Sequence, residues 1–294
     1  NAGGFNIAIG NNALYDNTSG DYNIGVGYES LKEATTATYN IAIGTESLRD
    51  VTTESKLIAI GHEAAKVNTT GSELVAIGYQ AATANTTGDY LTALGSKALT
   101  ANTTGSYNSA LGSGALDANT TGQYNNAFGA FALSANTTST ANNAFGYNSL
   151  YSNSTGHSNT AMGHQALFAN TTGYRNSAFG YDAMLSNTTG LNNTALGREA
   201  MKSNTEGYAN TSAGSRSLYF NTTGYSNTSI GTSSMFSNTT GYDNIALGQN
   251  ALGANTTGFN NSAVGAFALT TNTTGDHNAA SGTSSLYSNT TGSN

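Results

Sequence analysis

Residues 108–123 read NSALGSGALDANTTGQ, and residues 244–259 read NIALGQNALGANTTGF. Laid over each other they place Gly112 on Gly248, a separation divisible by 17. Stepping by 17 from Gly10 lands on glycine without a miss: Gly27, Gly44, Gly61, Gly78, Gly95, Gly112, Gly129, Gly146, Gly163, Gly180, Gly197, Gly214, Gly231, Gly248, Gly265 and Gly282. A second slot starts at Gly20 and holds in 14 of 17 steps, departing at Ala37, Glu54 and Ser139. The two slots take 31 of the 36 glycines, so chance does not set the register. The unit is N-x-A-φ-G-x-x-A-L-x-x-N-T-T-G-x-x, with φ a large apolar residue. Repetition at a fixed period overrides the one or two globular domains that 294 residues alone would suggest.

Each slot has a physical reading. The residue before the invariant Gly is large and apolar in 15 copies, with Ala213 and Ser281 as exceptions. The one before it is Ala in 14 copies, replaced by Gly25, Ser212 and Ser229. Four residues after the Gly, Leu or Met recurs in 15 copies, and Ala65 and Ala82 depart. Seventeen residues with two Gly corners cannot hold two long helices, but suit two short strands per coil, x-N-x-A-φ and x-A-L-x, each closed by a turn. The expected fold is all-β: a parallel β-roll or β-solenoid of 17 coils, each hydrogen-bonded to the next. Asn opens the first strand in 14 copies, so stacked coils would form an amide ladder. Residues 1–294 read as a single repeat array with uncapped ends, a stretch of a longer fibrous protein.

Adjacent residues of a strand face opposite sides. Ala and φ are neighbours, as are Ala/Ser and Leu, so both faces of both strands read as apolar. One face would fill the coil and the other would meet further copies of the chain, which predicts a closed homo-oligomer.

The segments NIAIG at Asn6–Gly10 and Asn40–Gly44, LIAIG at Leu57–Gly61 and LVAIG at Leu74–Gly78 resemble the repeats of YadA-like trimeric autotransporter adhesin heads. Related repeats occur in bacteriophage tail fibres. The resemblance implies a left-handed, trimeric β-roll that projects from a surface and binds ligands.

Composition narrows the chemistry. The chain has no Cys, Pro or Trp, and nine Lys and Arg against 16 Asp and Glu give a net charge of −7. There is no disulfide scaffold or Cys zinc site to build. The acidic balance argues against nucleic acid, and no apolar run is long enough to insert in a membrane. His62, His157, His164 and His277 form no ladder, and the acids are out of register, so no catalytic residue, metal site or cofactor is expected. Richness in Thr, Asn and Gly without Cys suits an extracellular place, on a cell or virion surface.

The N-T-T-G corner carries two sharper possibilities. Asn17, Asn68, Asn85, Asn102, Asn119, Asn136, Asn153, Asn170, Asn187, Asn221, Asn238, Asn255, Asn272 and Asn289 each head an N-x-[S/T] triplet, making them candidate glycan acceptors. The competing reading is turn chemistry, in which Asn and Thr satisfy the backbone at a corner. Stacked Thr also resembles the ladders of insect antifreeze solenoids, although here the Thr residues are adjacent and would face opposite sides. Tyr174, Tyr208, Tyr225 and Tyr242 share one slot and are candidate adhesive aromatics. The expected function is a structural fibre or shaft, adhesin-like and non-catalytic. The alternatives are a head that binds a surface receptor or glycan and, behind it, an ice-binding solenoid.

Overall fold

The structure is a computed structural model that describes residues 3–293. It is a parallel β-solenoid with one coil per 17 residues, and no helix occurs among the described residues. The chain divides into two compact units, one ending at Ala144 and one starting at Phe145. In the first, strands recur at Ile7–Ile9, Ile24–Val26, Ile41–Ile43, Ile58–Ile60, Leu74–Ile77, Leu91–Leu94, Ser109–Leu111 and Asn126–Phe128. In the second they run from Thr160–Met162 to Ala279–Ser281 in the same rhythm.

Strands pair parallel, like on like. Ser109 sits beside Asn126, Ala110 beside Ala127 and Leu111 beside Phe128; Ser177, Ala178 and Phe179 meet Thr194, Ala195 and Leu196 in the same way. Because side chains alternate with a period of two, a slip of one residue would drive the buried Ala outward and a large residue in. The small middle residue is buried in every strand but the first, where Ala8 is exposed, and Ala59, Ala93, Ala178 and Ala263 have no accessible surface. Its neighbours point out together.

The second strand of each coil is absent. The x-A-L-x segment is a run of turns, because the residues two and four after the invariant Gly hold left-handed backbone: Lys97 has φ 58 and Leu99 φ 53, Glu199 φ 56 and Met201 φ 52. No extended strand passes through such angles, which cost a non-Gly residue about 1 kcal/mol each. Bonds between coils offset that cost. Leu99 N–H donates to Ala115 O at 3.0 Å, and Lys97 N–H donates back to Tyr79 O at 2.8 Å.

This geometry turns both members of the A-L pair inward: Ala98 and Leu99, Ala115 and Leu116, Ala200 and Met201 are all buried. The expectation of two apolar faces therefore fails for this segment. The outward apolar row is the residue before the invariant Gly, such as Ile43, Met162, Leu196 and Ile230. In the first unit it is doubled by Ile24, Ile41, Ile58 and Val75 on the same outer face.

If each rung is one coil, removing residues 109–125 joins Asn108 to Asn126 in register. That variant is expected to give cooperative melting by circular dichroism, within a few degrees of the parent. Removing 16 residues, 109–124, is expected to lose the cooperative transition, because the downstream coils meet the upstream ones one residue out of step.

Candidate functional site

The side chains that repeat form columns, and the interior columns are polar as well as apolar. Asn119 Nδ2 donates to Asn102 Oδ1 at 2.8 Å and to Gly122 O at 3.1 Å. Asn187 does the same to Asn170 Oδ1 at 2.8 Å and Gly190 O at 3.1 Å, and its own Oδ1 accepts from Asn204 at 2.8 Å. The strand-opening Asn forms a second column: Asn210 donates to Asn193 Oδ1 at 3.2 Å and Gly224 O at 2.8 Å. Gly122 O accepts from both columns, from Asn119 and, at 2.7 Å, from Asn108. Buried amides are thus satisfied along and across the coils, as buried polar groups must be.

This places the candidate glycan acceptors inside the protein. Asn68, Asn85, Asn102, Asn119, Asn136, Asn153, Asn170, Asn187, Asn221, Asn238, Asn255 and Asn272 have no accessible surface; Asn17 is nearly buried, and Asn289 is half-buried in the last coil. The nitrogen that would carry a sugar already gives its hydrogens to the preceding Asn and to the corner Gly, as at Asn187 and Asn238. In the folded coil these residues do turn chemistry. The first Thr of the corner joins in: Thr103 Oγ1 donates to Thr120 O at 3.1 Å, and Thr222 Oγ1 to Thr239 O at 3.1 Å. The second Thr, such as Thr121, is exposed.

The outward aromatic columns are stacked. Tyr208, Tyr225, Tyr242 and Phe259 follow one another at centroid spacings of 4.9, 4.8 and 4.9 Å and within 8° of parallel. Tyr174 lies outside that stack, with Leu191 intervening in the column, and pairs with His157 at 5.0 Å. Tyr90, Tyr107 and Tyr124 form a like stack in the first unit. The histidines turn out to be rungs too: His62 lies on Tyr79, and His164 between Tyr147 and Tyr181. Packing against the flanking rings pushes the Tyr225 phenol up, reinforced by the neighbouring phenols.

Two features escaped the sequence reading. One is a charge cluster of the second unit. Glu199 accepts from Arg216 Nε at 2.8 Å and Lys202 Nζ at 3.1 Å, and Lys202 also meets Asp182 at 2.9 Å. The hydrogen bond from Arg216, then that from Lys202, holds the Glu199 carboxyl below its ordinary value. A carboxyl lowered in the folded state adds stability above its unfolded value of about 4.3, and loses it as pH falls through the folded value. The melting temperature is therefore expected to drop on acidification below about pH 5, and Glu199→Gln to flatten that drop. An unchanged slope in the variant would contradict the assignment. The other feature is Gly253, which stands in neither glycine slot. Reading the columns between the corners would have found both.

Among the described residues there is no group of three or more His, Cys, Asp or Glu that could hold a metal, and no helix long and apolar enough to cross a membrane. No protein-family model matches the chain, and no curated protein matches it.

Proposed function

We propose that this chain is the shaft of an extracellular fibre, adhesin-like and non-catalytic, which holds a binding element away from a cell or virion surface. The observation that carries this is the continuous hydrogen bonding of each coil to the next. Strand backbone, turn backbone and two buried amide columns all bond one coil to the next. Force applied along the columns loads many such bonds in parallel. The outward aliphatic rows of the first unit, Ile24 with Val26, Ile41 with Ile43 and Ile58 with Ile60, suit burial against further copies of the chain.

Single-molecule stretching tests the shaft. Pulled from its two ends, the chain is expected to stay folded at forces that unravel a helical array, and then to lengthen in multiples of one 17-residue coil. Gradual lengthening at low force would contradict it. A second reading, a receptor- or glycan-binding head, is supported by the outward aromatic stack of exposed Tyr208 and half-buried Tyr225 and Tyr242.

A further inference from the structure

The second unit interrupts one of its outer columns. Five residues after the invariant Gly come, coil by coil, Tyr219, Phe236, Gly253 and Thr270. The Phe236 ring lies on Tyr219 at 5.3 Å and is touched edge-on by Phe220 at 5.1 Å. On its other side the next rung is Gly253, which offers no side chain. The backbone does not require glycine there. Gly253 has no left-handed φ, and an added Cβ would meet nothing closer than Asn250 O at 3.1 Å. The missing side chain opens a groove of about 350 Å³, lined by Phe236, Arg216, Ser233, Ser237, Asn250 and Thr271. That volume is at the small end of the range for ligand sites. The Ser233 and Ser237 hydroxyls and the Asn250 amide carry no hydrogen bond among the described residues. They offer donors and acceptors around an aromatic floor. Arg216 turns its Nε to Glu199, which offsets its charge.

We propose that the notch at Gly253 is a binding subsite for a neutral pyranose sugar, laid with its C–H face on the open face of Phe236. An all-carbon ring would fill the same gap in the column. It would also strip water from Ser233, Ser237 and Asn250 without replacing their hydrogen bonds, a cost that sugar hydroxyls remove. The charge of Arg216 is taken by Glu199, and the chain as a whole is at −7, so neutral rings are favoured over acidic ones. The subsite does not depend on the shaft function, since a fibre can be stiff with or without it.

Saturation-transfer NMR on the whole chain tests the subsite, using the methyl glycosides of glucose, galactose, mannose, N-acetylglucosamine and N-acetylneuraminic acid at millimolar concentration. Transfer is expected to the ring C–H protons of at least one neutral sugar. Phe236→Ala is expected to weaken binding about tenfold or more, the loss of a stacking contact worth about 1.4 kcal/mol. Gly253→Phe restores the missing rung and is expected to abolish transfer while the melting temperature stays at or above that of the parent. Should Gly253→Phe fail to fold, Phe236→Ala decides the matter. Phe168→Ala, in the same slot remote from the notch, is expected to leave binding unchanged. Absence of transfer to every neutral sugar, binding of the acidic sugar alone, or transfer that survives loss of the Phe236 ring would overturn the proposal.

Discussion

Gly95→Ala is expected to destabilise the first unit by about 4 kcal/mol or more, enough to abolish its cooperative melting in a chain of ordinary stability. Gly95 has φ 140, a region open to glycine and strained for any L side chain. Its added Cβ would lie 2.5 Å from Gly112 O and 2.6 Å from Gly112 C, backbone atoms of the next coil that have no room to retreat. Strain and collision act together, and the parallel register leaves no local relief. Gly253→Ala is the internal control: no left-handed φ, and no atom nearer its added Cβ than Asn250 O at 3.1 Å. It is expected to change stability by no more than about 1 kcal/mol. Equal losses in both variants, measured by urea titration, would show that the invariant column is not a packing requirement.

The second large effect belongs to the buried amides. Asn187→Ala leaves Asn170 Oδ1, Gly190 O and Asn204 Nδ2 each short of a bond. At about 1 kcal/mol for each bond lost, the loss is about 3 kcal/mol. Asn187→Asp keeps the shape but places a carboxylate, which can only accept, against two acceptors and away from water. Its folded-state pKa must rise above the ordinary 3.9 or so. A group raised on folding contributes fully below its unfolded value and is lost as pH climbs through the folded one. The Asp variant is therefore expected to be the least stable of the series at pH 7 and to recover in mild acid, where the parent, through Glu199, is losing stability. Thermal melts of the three proteins between about pH 3 and pH 7 read this directly. Monotonic acid destabilisation of the Asp variant would show that Asn187 is not enclosed by acceptors.

Much of this was visible in the sequence. A glycine recurring without a miss from Gly10 to Gly282 admits few structures besides stacked coils, and Asn6, Asn108 and Asn193 in one slot already implied an amide column. The second strand was misread at a definite place. Leu99 and Leu116 sit beside Ala98 and Ala115 as they would in a strand, and nothing local marks a Leu as left-handed. It is held there by bonds to the adjacent coil, such as Leu99 N–H to Ala115 O, and these exist only once the coils stack. The same limit applied to the triplets headed by Asn102 and Asn187. Their pattern suits a modified surface turn, whereas their burial is a property of the assembled column. The notch beside Phe236 left one trace, a lone Gly253 out of register, and its meaning depends on Tyr219 and Thr270 lying in the same column.

Within each unit, residues 17 apart lie side by side on neighbouring coils, and engineered cysteines test that register. The chain contains no native Cys. Leu94 and Leu111 are register partners on the outer face, where neighbouring parallel strands lie about 4.8 Å apart, within the span a disulfide bridges. Leu94→Cys with Leu111→Cys is expected to form an intramolecular disulfide rapidly under mild oxidation. Thr92→Cys with Leu111→Cys, two residues out of step on the same face, is expected to stay reduced, since its Cα atoms lie beyond the limit of about 7 Å. Equal oxidation of the two pairs, or an in-register pair that does not close, would contradict the stacked-coil account.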